Sequence, residues 1–313
     1  MIGEFIIRNM ETGQTINFGQ EIGYDCIYND GDINWGTVSA KHNTFDFLDQ
    51  VGLSISSTKI NDRDVTINSY VYYVPTKEEI EKNKNNIDKY IYDKILEKKK
   101  ELNRIVNPSQ YLKIIVGDYY LIGKPTKSIK WATTYKENND KFCKFQIEVY
   151  CNNPMFRREE QKVVLSGSLP GFKFPLVIPK KGIIFGERRN YQTFGVLNSG
   201  DVKTGAVFRI YSNGTVKGIK VENPITGEFF RINKTLQAGE EIIVNTDASS
   251  ARSIIGYLNN QEINYFKYWD YEGKWIQFPV GQSYINYSLE QGSPQLIDLS
   301  LTLTPARYSV EEE

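Results

Sequence analysis

Histidine is almost missing from this chain: His42 is the only one in 313 residues. Cysteine is scarce too, with Cys26, Cys143 and Cys151 at spacings that match no zinc pattern. With so few of both, no His/Cys cluster can assemble a transition-metal centre. A Ser-His-Asp relay would have to use His42, which lies in the polar run Lys41-His42-Asn43. There is no G-x-S-x-G elbow and no glycine-rich phosphate loop. Cys143 and Cys151 flank one strand candidate, so bridging them would need the chain to double back; reduced, partly buried thiols and assembly in a cytosol are the expectation. An excess of either charge is lacking as well, with 38 Lys plus Arg against 38 Asp plus Glu. Binding to phosphate backbones by counterion release needs a basic excess, so specific nucleic-acid binding is not expected. No apolar run approaches the ~20 residues of a membrane span, and MIGEFIIRNMETG has no secretion-signal core. No catalytic, cofactor-binding or metal-ligating residue is expected.

Aromatic residues are plentiful: they make up 13% of the chain, with 21 Tyr and 16 Phe. Tyrosine suits half-buried sheet positions, one end apolar and the other wet, so a mainly β protein is expected. The length allows two domains, each with its own core. The stretch Phe142 to Arg158, FCKFQIEVYCNNPMFRR, marks the boundary. Phe145, Ile147 and Val149 alternate with polar residues, as in a strand with one buried face. Asn152-Asn153-Pro154 then turns the chain, because proline forces the residue before it into extended geometry. Domains are therefore expected at 1–152 and 153–313.

In the first half, Phe5–Ile7 and Ile16–Phe18 read as a hairpin about Gly13, and 23–52 as loop-rich chain with irregular strands. Ser54–Ile60 and Asp64–Val74 read as strands, the second with a phase slip near Ser69 suggesting a bulge. Residues 76–106 form the one long helix expected, with Thr76 and Glu79 spaced as a capping box and an apolar stripe of Ile80, Ile87, Ile91, Ile95 and Leu102. Lys98-Lys99-Lys100 near its end reads either as a contact for nucleic acid or membrane or as a solvated, dipole-matched terminus. Leu112–Val116 and Tyr119–Gly123 form a tight hairpin at Gly117-Asp118, and Ile129–Tyr135 is a further strand candidate. This half reads as β-rich with one helix inserted.

After Arg158, short strands recur between turn residues: 183–185, 191–197, 206–212, 217–222, 228–232, 241–245, 253–257 and 299–304. That spacing indicates an all-β sandwich of jelly-roll or lectin type. Asn223-Pro224-Ile225-Thr226-Gly227-Glu228 reads as a hairpin tip.

Several segments, taken in order, resemble the distal tail protein family of long-tailed phages that infect Gram-positive hosts. They are Asn198-Ser199-Gly200-Asp201-Val202 with Thr204, Ile219 to Asn223 before Thr226-Gly227, and Leu236 to Glu240 leading to Ile243-Val244-Asn245-Thr246. Phe278-Pro279-Val280-Gly281 with Asn286-Tyr287 resembles the closing strand, Leu102-Asn103-Arg104 with Pro108 the helix end, and Phe145 to Phe156 the domain junction. Asn245 stands where the family often has an acidic turn-capping residue, and 19–64 match poorly. The resemblance implies an N-terminal β-sandwich-like domain carrying the helix, which assembles into a homohexameric ring at the tail tip, and a galectin-like or jelly-roll C-terminal β-sandwich outside it. Its implied partners are the tail tube protein, the hub or tail-associated protein, the tape measure protein and receptor-binding proteins. DNA would pass through the channel without specific binding. The implied location is the virion tail tip, after assembly in the host cytoplasm.

Two other chemistries compete. Glu222 and Asp270 could serve as a glycosidase carboxylate pair, although any chain this rich in acids offers such pairs. The segment 265–275, YFKYWDYEGKW, could stack sugars on Tyr265, Tyr268, Trp269, Tyr271 and Trp275 as a cell-wall carbohydrate-binding module, or could be a hairpin with both tryptophans packed. Tyr70 to Tyr73 and Tyr119-Tyr120 suit either an interface or a core.

Overall fold

The computed structural model describes residues 4–19, 27–48, 51–158, 161–164, 167–170, 186–189, 193–259 and 261–310. Cys26, the strand expected at 183–185, the first residues of that at 191–197, and the turn residues Ser166, Gly171 and 179–182 lie outside them. The chain divides into two compact units, Met1–Arg157 with Tyr308–Glu313, and Arg158–Arg307. The sequence pattern put the division between 152 and 153; here it falls after Arg157, and the chain from Tyr308 rejoins the first unit.

The first unit contains β1 (Phe5–Asn9), β2 (Thr15–Phe18), β3 (Ile27–Asn34), β4 (Ala40–Phe45), β5 (Ser54–Ile60) and β6 (Arg63–Tyr72). Helices α1 (Lys77–Lys82) and α2 (Ile87–Ile105) follow, then β7 (Leu112–Val116), β8 (Tyr119–Pro125), β9 (Lys130–Trp131), β10 (Phe142–Cys151) and β11 (Phe156–Arg158). The main sheet runs β2-β1-β7-β8-β10-β6-β3, while β4 and β5 pair only with each other. Alternation accounts for the sheet: along β10, Cys143, Phe145, Ile147, Val149 and Cys151 are buried and all the intervening residues face outward. The inner faces meet in one core with Ile95, Leu102 and Ile105 of α2. Both Cys143 and Cys151 are free, buried thiols.

Three local expectations are corrected. There is no slip at Ser69: Ser69 and Val71 continue the buried face of β6, and β6 pairs with β10 in unbroken register. The small serine fits inside, so Tyr70 and Tyr72 take the outer face; the irregularity lies in the partner strand, between Asn29 and Ile33. The helix is two helices. Thr76 does cap α1 through a capping box, but Asn83 turns its amide side chain onto the Glu79 carbonyl at 3.0 Å and ends the helix. The strand expected over 129–135 shrinks to β9, because the Asn138 side chain caps the Ala132 carbonyl at 2.9 Å within a turn. Within 23–52, the irregular strands expected are β3, shifted in register between Asn29 and Ile33, and β4, shifted between Asn43 and Thr44.

The second unit contains β12 (Gln161–Val164), β13 (Gly167–Pro170), β14 (Gly186–Arg189), β15 (Thr193–Asn198), β16 (Ala206–Ser212), β17 (Val216–Glu222), β18 (Phe229–Leu236), β19 (Glu241–Asn245), β20 (Ser253–Leu258), β21 (Gln261–Asn264), β22 (Gly281–Gln291), β23 (Ile297–Leu303) and β24 (Ala306–Arg307). One sheet runs β12-β23-β16-β19-β20-β21 and the other β15-β22-β17-β18, with β13 and β14 a separate pair. Their inward residues form a single core containing Phe208, Phe230, Phe278, Ile242, Leu299 and Leu301. Two sheets over one core are a β-sandwich, and burying each such side chain contributes ~1.5–3 kcal/mol. The protein is thus mainly β.

Candidate functional site

The second unit's short sequence motifs are architectural. Asn198 is buried where β15 ends and spends its amide on the carbonyls of Val202, at 2.9 Å, and Phe278, at 3.0 Å. Its side-chain oxygen accepts the Gly200 amide at 3.0 Å. A side chain at Gly200 would sit 2.5 Å from the Ala306 carbonyl oxygen, which explains the glycine. Asn223 accepts the amides of Ile225 and Thr226 at 3.0 and 3.3 Å and shapes the β17–β18 turn, with Gly227 at φ 68°. Asn245 accepts the Asp247 amide at 3.0 Å, the turn-capping task that an acidic residue would also perform. Thr246 both accepts from the Ala206 amide and donates to its carbonyl, at 2.9 and 3.0 Å.

The most charged buried feature of this unit is Glu240, fully buried just before β19. It accepts the Tyr265 hydroxyl at 2.7 Å, the Gln237 amide at 3.0 Å and the Lys234 ammonium at 2.5 Å. Burial pushes its carboxyl up, but Lys234, Tyr265 and the Gln237 amide outweigh that, and the net displacement is downward. Burial and then Glu240 push the Tyr265 phenol well above its usual range. Every acceptor and donor here is spent internally, so the group braces the turn between β18 and β19.

The aromatic segment is packed, not displayed. Trp269 is 8% exposed and stacks between Phe230, at 6.0 Å, and Trp275, at 4.4 Å. Trp275 has the Arg252 guanidinium 5.7 Å from its ring centre and Phe266 at 6.2 Å. Tyr265 is buried and Tyr268 lies against the core, while Phe266, 49% exposed, and Tyr271, 93% exposed, face solvent. Glu222 pairs with Lys220, and Asp270 pairs with Arg231 at 3.4 Å. His42 lies exposed on β4, its Nδ1 2.9 Å from the Thr58 hydroxyl. Among the described residues no three His, Cys, Asp or Glu side chains are grouped as a metal site.

In the first unit, Tyr73 and Tyr90 donate to one Glu79 oxygen at 2.8 and 2.7 Å. The Thr76 amide, then these hydroxyls, hold the Glu79 carboxyl down to about 2. Tyr70 packs on Phe142 at 5.8 Å, and Lys113 lies 4.1 Å from the centre of the Tyr120 ring. The lysine run is engaged locally: Lys98 pairs with Glu101 at 2.8 Å, and Lys99 lies 5.3 Å from the centre of the Trp131 ring. At the junction Phe156 is buried against Trp35, with Arg63 4.7 Å from its ring centre. Burial pushes the neighbouring Cys151 thiol up to about 12, so it is inert at neutral pH.

The arrangement that sequence patterning missed is the β4–β5 hairpin. All six positions of β4 and six of seven in β5 are exposed. Large apolar side chains nonetheless gather at its tip, with Phe47 59% and Leu48 98% exposed. The signal was there in Phe45-Asp46-Phe47-Leu48, an apolar run inside polar chain with no buried strand to serve.

Fold and site thus define a two-unit β protein whose distinctive described residues build turns, braces and surfaces. Residues 199–302 match the family model of the siphovirus-type tail component, C-terminal domain. Among solved structures, the Dit protein (gp 19.1) of phage SPP1, described as a paradigm of the hub adsorption apparatus in phages infecting Gram-positive bacteria, shares the fold. The TM-score is 0.59 at 13% identity, over 96% of this chain and 98% of that one. Two structures of the phage P2 baseplate in its activated conformation, with Ca and with Sr, align over 96% of this chain at 14% and 13% identity, with a TM-score of 0.41 in both cases. No curated protein sequence matches. The family match and the shared fold support a distal tail protein with a structural role in the phage tail or baseplate, and hence a place in the virion. Among the described residues no helix is long and apolar enough to cross a membrane.

Proposed function

We infer that this chain forms a homohexameric ring at the tail tip, joining the tail tube to the hub and the receptor-binding apparatus and enclosing the channel through which DNA leaves. The observation that carries the reading is the tail-component domain over 199–302, on a chain that shares the SPP1 Dit fold along 96% of its length. The first unit builds the ring and the second stands outside it as a docking sandwich. The ring meets the tail tube protein above and the hub protein below, surrounds the tape measure protein, and receives receptor-binding proteins on its outside. DNA passes without specific contacts, in keeping with the balanced charge of the chain. Assembly takes place in the host cytoplasm, and the protein is not an enzyme. The carbohydrate-module reading loses its platform, because Trp269 and Trp275 spend their ring faces on each other, on Phe230 and on Arg252.

Mass photometry and negative-stain microscopy of the purified protein, alone and in isolated tail tips, test the reading. Six-fold rings are the expected result; a strictly monomeric chain within assembled tips would sink it.

A further inference from the structure

The β4–β5 hairpin poses a physical problem that its own unit does not solve. A two-stranded ribbon with no third strand and no helix beneath it is marginal in water. This one also exposes Phe45 and Phe47, their rings edge-on at 4.7 Å, together with Leu48. A contiguous exposed apolar tip of this kind marks an interaction site. Its charge is one-sided: among the described tip residues, Phe45–Leu48 and Val51–Leu53, Asp46 is acidic and none is basic.

The same chain carries a surface of the opposite character. On the outward face of β1, β7 and β8, Ile6, Ile115 and Tyr120 stand in one cross-strand row. Beside it runs a second row, Arg8, Lys113 and Ile122. Ile6 and Arg8 are exposed and the other four are half-buried. The tip is apolar and acidic, and this face is apolar and basic. The two lie on different elements of one unit, the geometry a heterologous, ring-closing contact requires.

We propose that the tip of the β4–β5 hairpin docks on the β1–β7–β8 face of a second copy of this chain, with Phe47 and Leu48 covering the Ile6–Ile115–Tyr120 row and Asp46 facing Arg8 and Lys113. The proposal rests on the ring reading above and names the contact that closes the ring. The occupant is a second copy because one chain supplies both halves of the contact in complementary charge, and a ring demands two different patches on each subunit.

The test uses full-length protein with a benzoylphenylalanine photo-crosslinker at position 47, mixed from isotope-labelled and unlabelled pools. Mixed-isotope cross-links to peptides containing Ile115 or Tyr120 are expected; cross-links only within one chain, or only to another tail protein, overturn the proposal. Leu48→Asp is expected to weaken self-association by more than about a hundredfold, the loss typical of a buried anchor. Asp46→Lys should weaken it roughly tenfold, and adding Lys113→Glu should restore it. Unfolding midpoints measured in dilute, unassembled protein should stay unchanged, so that lost assembly is not lost folding. Rings that persist in Leu48→Asp overturn the hairpin contact and leave the ring reading standing. Wild-type chain that never forms rings, alone or in tail tips, overturns both.

Discussion

The β4–β5 and β17–β18 hairpins are both antiparallel ribbons with one register shift, between Asn43 and Thr44 in the first and between Lys217 and Ile219 in the second. Both have their cross-strand backbone hydrogen bonds. Along β17 and β18, however, Val216, Ile219, Val221, Phe230, Ile232 and Leu236 point into a sandwich core. Along β4 and β5 neither face is covered. Because a backbone hydrogen bond exchanges protein for water at a net gain of only ~1 kcal/mol, pairing alone holds neither ribbon. Burial holds the second, and the first is left to find its burial elsewhere. One ribbon belongs to the stability of its unit; in the contact proposed above, the other belongs to association.

Substitutions can break this contrast. The largest effect is expected at Phe230, fully buried in β18 between Phe208 and Trp269. Phe230→Ala should cost ~3–5 kcal/mol, the usual cost of an emptied aromatic site, read as a lower urea midpoint for the second unit. Next comes Glu240→Gln, which keeps the shape but leaves Lys234 beside a neutral amide. Breaking a buried pair of this kind costs about 3 kcal/mol. The sign with pH follows from the depressed carboxyl. The stability it contributes is present above its unfolded value, near 4.5, and is lost as pH falls through the lower folded value. Wild type should therefore weaken relative to Glu240→Gln below that point, narrowing the gap between them. A constant gap from pH 7 to 3 would show that the carboxylate charge does not brace the turn.

The contrast also explains what could be read from sequence. Where an element is held by burial on one face, its residues alternate, and β10, β16 and β19 were legible almost to the residue. The turn residues at Gly117 and Asn223–Glu228 were legible for a similar reason, since a backbone turn constrains residue type locally. Ser69 misled because it is a small polar residue on a buried face, where only its neighbours across the sheet reveal the fit. The helix break at Asn83 misled because an apolar period of seven continues across it. In the exposed arm, β5 was read as Ser54–Ile60, but β4 and its pairing with β5 were not, because residues exposed on both faces carry no alternation to mark a partner. The tryptophans of 265–275 were open to two readings, since stacking on a sugar and stacking on Phe230 require the same residue type.

Helix α1 is intermediate in kind: it is regular, has no buried residue, and is fixed by a polar cluster around Glu79. Thr76→Ala should loosen it by about 1 kcal/mol, the usual worth of an N-cap. Its amide exchange should quicken without a change in the urea midpoint of the core. Acid should do the same. The Glu79 carboxyl titrates near 2 when folded against 4.5 when free, so its contribution is complete above 4.5 and disappears as pH falls toward 2. Exchange in α1 that follows the core at every pH would mean the helix is held by packing after all.

The smallest expected effect discriminates best. In the unassembled chain Leu48→Ser should change stability by no more than ~0.5 kcal/mol, as for any surface site without packing partners. If Leu48 is an anchor, the same substitution becomes costly only once copies meet, and its cost should grow with protein concentration. Comparing urea midpoints of wild type and variant across a hundredfold range of concentration reads this directly. A gap that opens with concentration assigns the exposed ribbon to association; a gap already present in dilute protein would mean that the tip packs within its own unit and that the contrast between the two hairpins is one of degree.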